Sequence, residues 1–268
     1  MSTTNQPDWD SLAEKFDHWL PLIAPVGDAL LNALTILPGE TILDIASGTG
    51  EPALSVASNN PQAIVTGVDA AAGMVRVAQH KATNADLDNL RFQTMSAESL
   101  EFSDNNFDKL ICRFGVMLFE NPQQGLNEMQ RVLKPGGQLA LAVWGRPEGI
   151  TTFNWAYQVF KGKVSKEDEP ALAIASSLSG PGVLEKLMRN AGLTGLSIET
   201  KHFNYQFDSF DEYWQIVENS DMMKKQFDAL PDNERANIRN EMAQFAHDYQ
   251  TEGGLVIPHE YILATATK

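Results

Sequence analysis

The chain predicts a doubly wound α/β fold: a seven-stranded, mostly parallel sheet with an antiparallel C-terminal strand and a helical lid. Three observations lead there. Short apolar runs alternate with helix-period segments through the first half of the chain, which argues for parallel strands joined by crossover helices that cover both faces. A glycine-rich turn, Gly48-Thr49-Gly50, follows the first apolar run and opens a helix; such a turn lets a ligand approach bare backbone at the carboxyl end of a strand. In the second half, helical stripes surround two longer β-like runs, the pattern of a helical insertion ahead of a last strand.

In chain order, Trp9, Leu12, Phe16, Trp19 and Leu20 fall on one helical stripe, which Pro21 is expected to terminate. Thr41 to Ala46, Ala63 to Val68, Leu90 to Met95, Phe107 to Phe114 and Gln138 to Trp144 are the predicted core strands. A helix from Pro122 to Leu133 puts Leu126, Met129, Val132 and Leu133 on one face, with its proline in the first turn where a missing N–H is harmless. Lys134-Pro135-Gly136-Gly137 then stops the helix and turns the chain into the fifth strand. Phe153, Ala156, Tyr157 and Phe160 mark a further helix, and Val183, Leu184, Leu187, Met188 and Ala191 another that Gly192 closes. A strand over Leu196 to Phe207 follows. Two or three helices come next, marked by Phe210, Tyr213, Trp214 and Val217 and by Ile238, Met242, Phe245 and Tyr249, and then a β-run from Gly254 to Thr267. The late strand and the last one should form an antiparallel pair at the sheet edge.

Composition narrows the partners. Of 268 residues, 43% are hydrophobic and 21% charged, a globular balance. A formal charge of −15 would repel a phosphate backbone, so nucleic acid is not an expected partner. The single cysteine, Cys112, allows no internal disulfide and sits inside an apolar strand, where it reads as a small core residue. The N-terminus has no cationic stretch followed by an apolar run, and no segment approaches the roughly 20 apolar residues of a membrane span. A cytoplasmic location is expected.

The glycine turn satisfies the loose pattern G-x-G-x-x-A with Ala53 in third place. Asp44 ends the preceding strand, and a carboxylate there suits a positively charged ligand better than a pyrophosphate. Asp69 closes the second strand, where an acid can accept from both hydroxyls of a ribose. Met95-Ser96-Ala97-Glu98 follows the third strand, and F-D-K-L-I-C-R-F spans the fourth. Taken together, these motifs resemble the class I S-adenosylmethionine-dependent methyltransferases, Rossmann-like enzymes, in the branch similar to ubiquinone/menaquinone C-methyltransferases. The likeness covers about Leu30 to Gly145.

That resemblance implies S-adenosylmethionine as cofactor, S-adenosylhomocysteine as product and a small-molecule substrate, with no metal. It implies that the turn formed by Ala46, Ser47, Gly48, Thr49 and Gly50 packs against the methionine part of the cofactor, with Asp44 near its charged end. Asp69 would bind the ribose hydroxyls, with Ala70 and Met74 beside ribose and adenine. Ser96, Ala97 and Glu98 would meet the adenine, and Arg113 and Phe114 would line the wall near the sulfonium. Trp19 and Phe16 would close over the cofactor, Phe16-Asp17 standing where the family often has tyrosine before aspartate. Each residue also has a structural reading: Asp44 and Asp69 as turn caps, Met74, Phe114 and Met117 as core, Glu98 as a solvated helix-start acid, Arg113 as half of a surface ion pair. The expected organisation is one domain over 1–268, with a helical cap over 1–40 and a cofactor-binding core over 41–145. Lid helices take 146–182 and 208–252; the final helix and edge strands take 183–207 and 253–268.

Methyl transfer from a sulfonium is an in-line displacement that asks the protein mainly for alignment and exclusion of water. If the nucleophile must lose a proton, His18, His202, His259, Tyr157, Tyr213 and Tyr249 are the candidates for a base, and no motif selects among them. Trp155, Tyr157, Phe160, Phe210, Tyr213, Trp214 and Phe245 suggest an aromatic lid over a partly apolar substrate, or plain packing of the cap. C-R-F-G-V stands where amino-group methyltransferases carry an N-P-P-Y-like tetrad, which weighs against nucleobase or protein amide substrates. The alternatives are a cofactor binder without methyl transfer and a nicotinamide-dependent oxidoreductase. The latter rests on G-x-G-x-x-A alone, and Asp44 and the K-P-G-G turn speak against it. An isologous homodimer is compatible with such an enzyme, and no sequence feature reports one.

Overall fold

Each predicted strand is present in the computed structural model, which describes residues 7–268. The first five are β1 (Thr41–Ile45), β2 (Ile64–Asp69), β3 (Leu90–Thr94), β4 (Phe107–Arg113) and β5 (Leu133–Trp144). They pair in parallel in the order β3-β2-β1-β4-β5. Central strands of such a sheet are covered on both faces, so they are apolar without alternation; Ile42, Leu43, Asp44 and Ile45 are all buried. The later strands are β6 (Thr194–Phe207), β7 (Gln250–Thr251) and β8 (Gly254–Thr267). β8 lies between β5 and β6 and runs antiparallel to both, and β7 pairs with β8 to make eight strands among the described residues. β7, only two residues long, is too short to carry a periodic signal.

The helices are α1 (Trp9–Leu12), α2 (Leu20–Asn32), α3 (Ala53–Asn59), α4 (Ala72–Asn84), α5 (Pro122–Val132), α6 (Thr151–Phe160), α7 (Leu172–Ala175), α8 (Val183–Asn190), α9 (Phe210–Asn219), α10 (Lys224–Asp228) and α11 (Asp232–His247). Three expectations are corrected here. Pro21 does not end a helix over Trp9 to Leu20: that stretch breaks into α1 and a 3-10 turn at Phe16–His18, and Pro21 lies in the first turn of α2. Nothing is lost there, because first-turn N–H groups have no intrahelical acceptor. Nor is Lys134–Gly137 a separate turn between helix and strand. α5 passes directly into β5 at Leu133, and the register jumps from Phe107 opposite Leu133 to Lys109 opposite Gln138, so the K-P-G-G residues form an irregular start to β5. Tyr249, placed on the last helical stripe, lies beyond the end of α11.

Strand order reverses between β1 and β4, one neighbour leading to β2 and the other to β5. In open α/β sheets the crevice outside the carboxyl ends of the strands at such a point is where ligands bind. α1 and α2 reach over that end from the N-terminus, and α6, α7, α9 and α10 reach over it from the second half of the chain.

Candidate active site

The turn after β1 is built on residues with positive φ: Ala46 at 57°, Gly48 at 53° and Gly50 at 111°. Gly50 is also sterically constrained, since a Cβ there would stand 2.7 Å from Leu54 Cδ1. Asp69, at the end of β2, holds this turn from the side. Its Oδ2 accepts the Gly48 N–H at 2.9 Å and its Oδ1 accepts the Ala71 N–H at 2.9 Å. Burial raises its pKa, and these backbone bonds act in the opposite direction. A carboxylate has about four acceptor positions, so roughly two stay open for other donors.

Above the turn lies a cavity of ≈ 1010 Å³. Its floor comes from Ala46, Ser47, Gly48, Asp69, Ala70, Met74, Ser96, Ala97 and Glu98, and its wall from Arg113 and Phe114; Trp19 and Phe16 lie on the cap side. Twelve predicted site residues thus share one cavity: Trp19 and the eleven from Ala46 to Phe114 just named. The other three, Asp44, Thr49 and Gly50, do not line it; they shape the turn from behind.

Asp44 is fully sealed. Its Oδ2 accepts the Ala53 N–H at 3.1 Å, while its Oδ1 is buried without a partner among the described residues. Burial pushes its pKa up to about 7, against the pull of Arg113. It therefore stands as a cap of α3 and as the countercharge to Arg113. Arg113 forms no surface ion pair: its Nη2 donates to the Glu51 carbonyl at 2.8 Å, and burial lowers its pKa against the opposing effect of Asp44. Thr49 Oγ1 donates to Asp17 at 2.6 Å, and Lys81 donates to the same carboxylate at 2.6 Å, so Asp17 ties the cap to both the turn and α4. A second latch is Asp10, whose Oδ1 accepts the Gly73 N–H at 2.5 Å. Glu98 Oε1 accepts the Asn121 N–H at 3.0 Å, so this acid joins the cavity floor to the start of α5.

Beyond Phe114 the cavity turns apolar. The Phe114 ring stacks on Trp144 with centroids 3.9 Å apart and planes at 10°. Trp144, Phe153, Ala156, Tyr205 and Tyr213 continue the lining, roofed by Ile174, Ala175, Val217, Met222 and Met223. Of the seven aromatics expected as a lid, Tyr213 alone lines the cavity; Trp155 packs on Tyr213, Phe245 and Tyr249, Phe160 on Phe227, and Phe210 on Trp214. Trp144, Thr152 and Tyr205 were not singled out as site residues. The alternation Phe203, Tyr205, Phe207 in β6 was a usable signal for an aromatic inward face; Thr152 offered none.

Among the base candidates, His18 and His202 are exposed, and Tyr157 and Tyr249 are half-buried away from the cavity. Burial raises the Tyr213 pKa, which disfavours a phenolate. His259 is fully buried, and burial pushes its pKa down to about 3. Cys112 is core: burial pushes its thiol up to about 12.

The residues suit a cationic, nucleoside-containing ligand. Trp19 Nε1 and Ser47 Oγ border the cavity as buried polar atoms without partners among the described residues, and Asp69 keeps open acceptor positions. A family model described as "Methyltransferase domain" matches residues 36–177, and the chain belongs to this family, the S-adenosylmethionine-dependent methyltransferases. Its cofactor is S-adenosylmethionine. One relative is the ubiquinone/menaquinone biosynthesis C-methyltransferase of Geotalea daltonii, 35% identical over 115 residues, which are 42% of this chain and 49% of that protein. The chain thus spans about half the length of that curated relative. An uncharacterized protein of Mycobacterium tuberculosis is 27% identical over 254 residues, 92% of this chain and 88% of its own. The crystal structure of the YcgJ protein of Bacillus subtilis shares the fold at a TM-score of 0.61 and 21% identity, covering 90% of this chain and 97% of its own. No described helix is long and apolar enough to cross a membrane.

Proposed function

We propose that the protein moves the methyl group of S-adenosylmethionine to the oxygen, nitrogen or carbon of a small, largely apolar acceptor. The observation that carries this is the continuity of one cavity, ≈ 1010 Å³, from the glycine turn and Asp69 to the wall of Trp144, Phe153 and Tyr205. That volume is at the top of the range for small-molecule sites, about 300–1,000 Å³, enough for cofactor and acceptor together. When bound, the cofactor supplies an electrophilic methyl on a positively charged sulfur. The chain contributes alignment and dryness: Asp69 and the turn fix one partner, the aromatic wall orients the other, and the latched cap excludes water. Asp69, Glu98 and Glu51 place negative charge along the cavity, while the guanidinium of Arg113 is spent on a backbone carbonyl. The Geotalea relative's name places it in ubiquinone and menaquinone biosynthesis, and an acceptor of comparable apolar character suits the wall seen here. The sole cysteine, a buried free thiol, fits a reducing compartment, and we place the protein in the cytoplasm.

The test is to incubate the protein with S-adenosylmethionine and a panel of phenols, quinols and amines and to measure released S-adenosylhomocysteine. Release with one acceptor supports methyl transfer. Cofactor binding with no release across the panel turns the reading to a cofactor-binding protein that transfers no methyl group.

A further inference from the structure

Thr152, in the first turn of α6, lines the acceptor end of the cavity, and His259 of β8 lies behind it, fully buried. His259 Nδ1 is 3.2 Å from the Ile257 carbonyl oxygen. A carbonyl can only accept, so Nδ1 carries the hydrogen and Nε2 the lone pair. Nε2 accepts the Thr152 N–H at 3.3 Å and lies 2.8 Å from Thr152 Oγ1. With an acceptor on that side, the Thr152 hydroxyl donates its hydrogen backward, into the protein. It can offer the cavity acceptor lone pairs and nothing else.

The arrangement is rigid. Tyr205 stacks on the imidazole at 4.0 Å and 27°, and Trp144 and Phe203 pack against it with centroids 6.1 and 5.7 Å away. The contact of Nδ1 with the Ile257 carbonyl sets the tautomer, and burial, which pushes the imidazole pKa down to about 3, keeps a second proton off Nε2 near neutral pH. Trp144 joins this cluster to Phe114, so Thr152 and the carboxyl end of β4 share one wall. Phe114, Trp144, Phe153 and Ala156 around it are apolar, and a donor buried there without an acceptor would bear the full cost of desolvation.

We propose that Thr152 is a specificity-determining residue: a one-way hydrogen-bond acceptor that selects molecules carrying an O–H or N–H over analogues that lack it, with His259 as the positioning residue that sets the hydroxyl's direction. This rests on the methyltransferase reading for the identity of the acceptor end, and it narrows that reading to hydroxyl or amine acceptors.

The experiment is calorimetric titration of the protein, saturated with S-adenosylhomocysteine, with 2-naphthol and with 2-methoxynaphthalene. The wild type should prefer the naphthol by about tenfold, the worth of one satisfied donor. T152V should abolish the preference and T152S should keep it, with T152A standing in for T152V if that variant melts. H259F frees the Thr152 hydroxyl to turn and donate, so the two affinities should converge although Thr152 is untouched. Equal affinities in the wild type, binding of neither probe, or a preference retained in folded T152V overturns the proposal. Titration with S-adenosylhomocysteine alone, with the naphthol pair then repeated in its absence, separates the two readings. Its failure to bind sinks the methyltransferase reading while a naphthol preference would still stand, and binding of S-adenosylhomocysteine without that preference sinks only the role of Thr152.

Discussion

Replacing Asp69 with alanine removes the group that holds the turn and to which we assign the ribose contact. Two of its acceptor positions are engaged by the Gly48 and Ala71 N–H groups at 2.9 Å each, and the remainder border the cavity. Two ribose hydroxyls donating to a carboxylate make charge-assisted bonds, and losing them costs about 1–3 kcal/mol, or about 5- to 150-fold in affinity. The fold should survive. Burial raises the Asp69 pKa, so the folded chain holds its proton more tightly than the unfolded chain, and stability from this group falls as pH rises above the unfolded value. Removing a charge that is costly to bury offsets part of the loss of two backbone partners. The assay is calorimetric titration with S-adenosylhomocysteine, paired with thermal melts at pH 5 and pH 8. Asp69→Ala should bind 5- to 150-fold more weakly, and its melting temperature should compare better with wild type at pH 8 than at pH 5. Affinity within twofold of wild type in a folded variant would refute the ribose role.

Other outcomes follow from particular contacts. Gly73→Ala would put a Cβ 2.7 Å from the Asp10 carbonyl oxygen and 3.0 Å from its carboxylate; the short α1 should undock, seen as faster hydrogen exchange over residues 8–18 and weaker cofactor binding at nearly unchanged melting temperature. Asp44, pushed up to about 7 by burial, makes the protein less stable as pH rises from about 4 to about 7. Asp44→Asn should remove that slope; raising the pKa from 3.8 to about 7 sets a ceiling of about 4 kcal/mol on its relative gain at pH 8, measured by urea melts. His259 has the opposite sign: held at about 3 against an ordinary 6.5, it is neutral in the folded chain while the unfolded chain protonates, so stability falls as pH drops below about 6.5. A folded His259→Gln variant should show a shallower acid limb in the same melts.

The parallel core was legible because buried central strands leave an unmistakable apolar run, and the turn under the cavity because its positive φ angles call for Gly48 and Gly50 and its anchoring acid, Asp69, closes the neighbouring strand β2. Pro21 misled because a proline can end one helix or begin another, and the choice depends on whether Leu22 to Leu31 continues the helix, as it does in α2. Asp44 and Arg113 were placed on the right strands, but which way a strand-end side chain turns is decided by tertiary partners: the Ala53 N–H for one and the Glu51 carbonyl for the other. The apolar end of the cavity was the least legible part. Its lining draws one to three residues each from β5, α6, β6 and α9, between Trp144 and Val217, so no local window contains it. The aromatic stripes that were visible in sequence mostly pack the lid against itself.

The central claim is that the cavity over Gly48 and Asp69 takes S-adenosylmethionine, and titration with S-adenosylhomocysteine beside NADH under identical conditions tests it most directly. The account predicts saturable 1:1 binding of S-adenosylhomocysteine and none of NADH. No binding of S-adenosylhomocysteine to protein shown to be folded, or preferential binding of NADH, would contradict it.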